Sequence, residues 1–206
     1  MYKHFIKRLL DIVLSAIMIV VLSPLYVVIA VIVAVTMGMP IVYAQDRIGK
    51  NERVFRLFKF RSMTNATDAE GKLLDEQERL TRAGVILRSF SLDELPELFL
   101  ILIGKMSFVG PRPLPTYYDP YFHENERKRH KVKGGLIPPD GLCGQTTPSW
   151  ETQFEYDNYY VDHVSFLIDC KVIFATFKIL IKRVANNYGA EDRPHLNEYR
   201  KDEIKV

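Results

Sequence analysis

The sequence predicts a mostly helical α/β protein, with an apolar anchor at its start, a small domain behind it, and interfacial amphipathic helices. Three observations carry that prediction. No charged side chain occurs between Asp11 and Asp46, so the run Leu9 to Pro40 has no polar face and is not an ordinary surface helix. The stretch Val54-Phe55-Arg56-Leu57-Phe58-Lys59-Phe60-Arg61 alternates apolar and basic residues with the period of a strand. Near the end, Ser165 to Val184 is apolar but interrupted by Asp169, Lys171, Lys178, Lys182 and Arg183. That is the pattern of a core helix or of a helix lying in a membrane interface.

The apolar run exceeds the roughly 20 residues that cross a hydrocarbon core, and Ser23-Pro24 interrupts it near the middle. Proline removes a backbone donor and its ring strikes the carbonyl four residues back, so the helix bends there. Ser23 can bond back to a carbonyl freed by the break. The arm Asp11 to Leu22 is roughly 18 Å long at about 1.5 Å per residue, little more than half the core. Lys3, Lys7 and Arg8 precede the run, and Arg47, Lys50, Arg53, Arg56, Lys59 and Arg61 follow it. Basic residues mark cytoplasmic flanks, and both flanks carry them. The arms therefore suit a helix that enters, turns and leaves by one face; a kinked full span and a buried soluble helix are the alternatives. A signal peptide does not fit, because the apolar region is too long and no small-residue cleavage site follows. Residues 1–40 are expected to stay as a re-entrant membrane helix broken at Ser23-Pro24.

The 206-residue length leaves room for one modest domain, expected over 41–185, with a polar, poorly ordered tail over 186–206. A net charge of +3 without a basic stripe argues against nucleic acid as a partner, and the basic residues after the anchor read as contacts with anionic lipid headgroups. Cys143 and Cys170 are too few and too far apart for a zinc or redox motif.

In order, Ile41 to Gln45 reads as a short strand closed by the turn-like Ile48 to Glu52. Val54 to Arg61 reads as a half-buried strand with its basic face in solvent. Asp68 to Leu80 is a polar helix or loop, and Arg82 to Phe90 resumes an apolar pattern. Helix is expected from about Pro120 to Val132, a long functional or mobile loop over Gly134 to Thr147, and another helix from Ser149 through Tyr160.

Ser91-Leu92-Asp93-Glu94 fits the S-x-x-E capping box, in which the glutamate only closes a helix start. Pro96 requires that start to be close by. Both carboxylates are then expected in the first turn, beside free N–H groups that keep them ionised. There a carboxylate can serve as nucleophile or metal ligand. Pro111-Arg112-Pro113 fixes the backbone on both sides of one arginine, which suits either a surface ion pair or a phosphate fork.

At this point the chain resembles the small monotopic bacterial phosphoglycosyl transferases, the initiating sugar-phosphate transferases of glycoconjugate assembly. The resemblance rests on the basic start with Ser23-Pro24, Lys59-Phe60-Arg61-Ser62-Met63, Ser91-Leu92-Asp93-Glu94-Leu95-Pro96-Glu97-Leu98, Gly104 to Pro113, Arg129-His130-Lys131-Val132 and Tyr159-Tyr160-Val161, in order over most of residues 1–183. It implies an enzyme on the cytoplasmic face of the bacterial inner membrane that moves a sugar 1-phosphate from a UDP-sugar to polyprenol (undecaprenyl) phosphate. It further implies Asp93 as the nucleophile that releases UMP and holds a covalent phosphosugar, Glu94 as the second essential carboxylate, and Mg²⁺ bound near Asp93. Arg112 would hold phosphate, with Lys59 and Arg61 as further pocket members. One tract departs. Where the family continues R-P-G-I-T-G-W-x-Q-V-x-G-R, this chain has Lys133-Gly134-Gly135-Leu136-Ile137-Pro138-Pro139-Asp140-Gly141-Leu142-Cys143-Gly144-Gln145. The Gly135 to Gln145 segment is therefore the candidate sugar-specificity element. Two other readings stand beside the transferase: a silent membrane-anchored scaffold for downstream glycosyltransferases, and a full-span protein with an exported receptor domain.

Overall fold

A computed structural model describes residues 2–185 and 193–202. The apolar run forms two helices, α1 (Lys7–Val21) and α2 (Ser23–Met37), which meet at Leu22 and are bent by 63°. Pro24 lies in the first turn of α2, where its missing N–H has no helical partner to lose. Ser23 Oγ donates to the Val20 carbonyl at 2.8 Å, the back-bond that the break was expected to need. Among the described residues no single helix is long and apolar enough to cross a membrane, whereas the bent pair together has the length and composition. Large apolar side chains such as Val20 (73% exposed) and Val35 (80%) face outward along both arms.

The foot of α1 is fastened by polar groups. Arg8 donates to the carbonyls of Ile101 and Leu102 at 2.6 and 2.7 Å. Asp11, 4% exposed, accepts from the Ser107 hydroxyl and the Phe108 N–H. Lys7 pairs with Asp169 at 2.6 Å. α2 is fastened mainly by packing: Ile29, Val33 and Met37 bury against Phe60 and Leu87. Its Tyr26 hydroxyl donates to the Leu95 carbonyl at 2.5 Å.

The chain then makes an antiparallel hairpin, β1 (Val42–Ile48) and β2 (Val54–Phe60), in register Val42 to Phe60 through Ile48 to Val54. Short α3 (Glu76–Arg79) and α4 (Arg82–Ser89) follow, α4 capped by the Thr81 hydroxyl, which accepts from the Gly84 N–H at 2.9 Å. A 3₁₀ turn (Leu92–Glu94) leads to α5 (Glu97–Leu102). β3 (Ser107–Val109) pairs in parallel with β4 (Gly135–Ile137). α6 (Trp150–His163), capped by Ser149, and α7 (Phe166–Ala185) complete the body, and α8 (Leu196–Tyr199) returns onto it. The architecture is mostly helical with two small two-stranded sheets.

Leu57, Leu98, Ile101 and Met106 form the core between hairpin and α5. Trp150, Phe154, Tyr118, Phe122 and Leu196 form a second core beneath α6. α7 buries Ile168 and Val172 but leaves Phe166, Leu167, Phe174 and Phe177 outside. One face is thus core, and an aromatic face remains outward.

Three expectations need correction. The helix expected from Pro120 is instead two 3₁₀ segments, Thr116–Tyr121 and Glu126–Lys131, separated where Phe122 turns to an extended backbone (φ −80°, ψ 131°). The Gly134 to Thr147 loop contains β4 and a 3₁₀ turn, Pro139–Cys143. Gly110 and Gly135 make that strand possible. A Cβ built on Gly135 would lie 2.1 Å from the Gly110 nitrogen, so the two backbones touch where no side chain fits. Finally, of the tail expected to be poorly ordered, residues 193–202 are docked. Leu196 is fully buried and Arg200 forms a two-pronged pair with Glu126, both contacts at 2.7 Å. Residues 186–192 and 203–206 lie outside the described residues.

Candidate active site

The site begins on β2. Phe55, Leu57 and Lys59 share its inward face, since side chains alternate along a strand, and the register sets Arg47 opposite Phe55 on that same face. The basic face of β2 is therefore not merely solvated: Arg56 is exposed, but Lys59 points inward. Lys59 Nζ lies 2.6 Å from Glu94 Oε1 and 3.5 Å from Glu97 Oε1. Arg112 Nη1 reaches the same Glu94 oxygen at 3.0 Å.

The turn bearing the carboxylates starts at Ser91, which holds a left-handed conformation (φ 54°, ψ 26°), uncommon for a residue with a side chain. The S-x-x-E capping box is not formed. Ser91 makes no side-chain cap, and α5 begins only at Glu97, after Pro96. Asp93 and Glu94 therefore precede α5 rather than sit in its first turn. Their electrostatics differ accordingly. Asp93 is 8% exposed; burial raises its pKa, Lys59 pulls it back down, and Glu94 raises it further. Burial also penalises ionised Glu94, but Arg112 and Lys59 together outweigh it and hold that carboxylate at about 2. Arg112 is correspondingly raised by Glu94.

The Pro-Arg-Pro segment is held from behind. Arg129 Nη2 donates to the Arg112 carbonyl at 2.7 Å, and Arg47 Nη1 to the Pro113 carbonyl at 3.1 Å. With its backbone fixed, Arg112 presents a side chain that is 42% exposed. Arg47, Lys59, Glu97 and Arg112 line a small hollow, open to solvent, with a cavity volume of about 20 Å³ and with Gly135 and Leu136 on its wall.

Glu94, Lys59 and Arg112 are thus joined by ion pairs; Asp93 precedes Glu94 in the turn and feels the charge of Lys59, but of these four only Lys59 and Arg112 line the hollow. Arg61 is not with them. Its buried guanidinium donates to the carbonyls of Gly38, Pro40 and Met63, which fixes the chain leaving α2. Gly135 is on the wall of the hollow, whereas Gln145 is exposed and not part of the wall. Ser23 and Pro24 form the bend, and α2 touches the site turn through Tyr26 and Leu95. Arg47 and Glu97 were not singled out from the sequence. The hairpin register would have found Arg47; nothing local marks Glu97, because its partners come from β2.

Among the described residues no group of three or more His, Cys, Asp or Glu side chains is arranged to hold a metal ion. Mg²⁺ keeps several waters and typically takes one or two carboxylates plus substrate phosphates. Glu94 is engaged by two cations, which leaves Asp93 as the one carboxylate of the pair for such an ion.

A buried and a partly buried carboxylate with two cations beside an open hollow are equipment suited to group transfer between anions. Residues 2–183 match the family of bacterial sugar transferases, and the chain belongs to that family. It is 35% identical over 195 residues to the sugar transferase EpsL of Bacillus subtilis (strain 168), covering 95% of both chains. It is 37% identical over 191 residues to the UDP-glucose:undecaprenyl-phosphate glucose-1-phosphate transferase of Klebsiella pneumoniae, covering 87% of this chain and 41% of that one. Against the UDP-N-acetylgalactosamine-undecaprenyl-phosphate N-acetylgalactosaminephosphotransferase of Aeromonas hydrophila, identity is 34% over 194 residues, or 90% of this chain and 45% of the other. The chain thus spans less than half the length of these two named transferases.

Proposed function

We propose that the chain transfers a sugar 1-phosphate from a UDP-sugar to polyprenyl phosphate, initiating glycoconjugate assembly at the inner face of the bacterial cytoplasmic membrane. The observation that carries this reading is Glu94 clamped between Lys59 and a half-open Arg112, with buried Asp93 beside it. A carboxylate oxygen of Asp93 forms a bond to the sugar-linked phosphorus, the bond to UMP breaks, and its electron pair leaves on the UMP phosphate. An oxygen of polyprenyl phosphate then attacks the same phosphorus, and the aspartyl oxygen departs as a carboxylate. Arg112 and Lys59 bind diphosphate oxygens and hold Glu94 ionised. Asp93 would be the residue to hold Mg²⁺, which would supply charge neutralisation between carboxylate and diphosphate.

The bent helices support a monotopic arrangement. Their 63° angle and apolar outer surface suit entry and exit by one leaflet, which brings the site to the depth of lipid phosphates. The exposed aromatic face of α7 fits an interfacial position beside anionic lipids. Of the divergent Gly135 to Gln145 segment, Gly135 and Leu136 line the hollow and exposed Gln145 does not, so the residue at 145 does not bear on the carboxylate site.

UMP release from a panel of UDP-sugars, with Mg²⁺ and undecaprenyl phosphate, tests the reading. One donor should release UMP, and Asp93→Asn should abolish release by at least about 1,000-fold, as loss of a nucleophile does. A folded, membrane-bound protein inactive with every donor would favour the scaffold.

A further inference from the structure

Glu97 opens α5 and is 3% exposed, yet it lies on the wall of the hollow with Arg47, Lys59 and Arg112. The transfer chemistry above gives it no part. Its ion pair among the described residues is the longer contact to Lys59, 3.5 Å against 2.6 Å for Glu94. Glu94 has Arg112 as well. Two carboxylates sharing one ammonium in a buried place do not ionise independently; the less supported one keeps its proton longer.

We propose that Glu97 is a positioning residue of this site: ionised, it competes with the anionic substrate for Lys59, and protonated, it releases Lys59 to that substrate. The charges facing Glu97 are Arg47 from β1, Lys59 from β2, Glu94 from the 3₁₀ turn and Arg112 from the Pro-Arg-Pro segment. α1 packs on α5 too, but its Arg8 is held at the opposite end by Ile101 and Leu102. With Glu97 protonated, Arg47, Lys59 and Arg112 face Glu94 and, through Lys59, Asp93; with Glu97 ionised, they face one carboxylate more. Burial first, and Glu94 next, hold this carboxyl at about 7, so the exchange falls near neutral pH. A diphosphate entering the hollow favours the protonated form. Binding above that pH therefore takes up a proton.

This inference rests on the donor reading above. The test is calorimetric titration of the full chain in lipid nanodiscs with UDP-glucose, whose diphosphate does not itself titrate near neutrality. An Asp93→Asn background prevents turnover, and each pH is run in two buffers of different ionisation enthalpy. With Glu97 present, affinity should fall about tenfold from pH 6 to 8.5, the scale of one added like charge nearby, and proton uptake should appear near pH 8. Glu97→Gln should bind at the pH 6 affinity throughout, without uptake. An unchanged pH profile in Glu97→Gln overturns the proposal. So does equal weakening at every pH in both Glu97→Gln and Glu97→Ala, which marks a merely structural role. If UMP release is present and Asp93-dependent, those failures leave the transferase reading standing. Absence of UMP release removes both.

Discussion

Arg129–Asp157 and Arg112–Glu94 are the same chemical pair in opposite settings. The first is 2.9 Å long, with side chains 1% and 0% exposed. The second is 3.0 Å long, with Arg112 42% and Glu94 13% exposed. Arg129 also donates to the Arg112 carbonyl and lies against the rings of Phe122 and Phe154. It has no room to change partner. Arg112, anchored by its backbone but open at its head, can move from a glutamate to a phosphate without disturbing the core. An enclosed pair is framework, and a half-open pair resting on it is working surface.

Breaking the enclosed pair should give the largest stability effect. Arg129→Ala strands a buried carboxylate and frees the Arg112 carbonyl, so unfolding in urea should show a loss of about 3–5 kcal/mol. Arg112→Ala sharpens the contrast. Its stability should stay within about 1 kcal/mol, since the pair is partly solvated, while kcat/KM for the donor falls about 100-fold. The two carboxylates should also answer pH in opposite directions. Glu94, held at about 2 against an ordinary 4.5, contributes stability above pH 4.5 that is lost as pH falls toward 2. Asp157, pushed up to about 7 by burial from 3.8, contributes stability below 3.8 that is lost as pH rises toward 7. In pH-dependent unfolding, Glu94→Gln should flatten the acid limb and Asp157→Asn the limb approaching neutrality. The smallest effect is expected at Gln145, where Gln145→Arg should change stability by no more than about 0.5 kcal/mol. An altered donor preference in the UMP assay would show that this exposed position still reaches the sugar.

How far these features were legible depends on the range of the contacts. The bend at Ser23-Pro24, the strand at Val54 and the start of α6 at Ser149 are set by neighbours in sequence, and each was readable. Lys59, Asp93, Glu94 and Arg112 were readable because each sits in a distinctive local motif. Arg61 lies in such a motif too, but its partners, Gly38 and Pro40, are some twenty residues upstream, and proximity to Lys59 was misleading. The docked segment 193–202 was missed because Leu196 and Arg200 look like isolated residues in a polar tail. Only the pocket beneath α6 and the distant Glu126 give them a place. The capping box failed for a local reason: Ser91 adopts a left-handed backbone, which its sequence does not announce.

The contact between Gly110 and Gly135 decides where this chain can be recombined with its relatives. Backbone meets backbone there, so a residue with a side chain at either position has no compensating change at the other. A chimera that imports a foreign segment beginning at Lys133 or Gly134 must carry glycine at 135 or lose the parallel strand pair. A graft spliced after Ile137 and closed before Pro148 leaves that joint untouched. The exchangeable cassette is the ten-residue tip from Pro138 to Thr147, rather than the whole divergent tract.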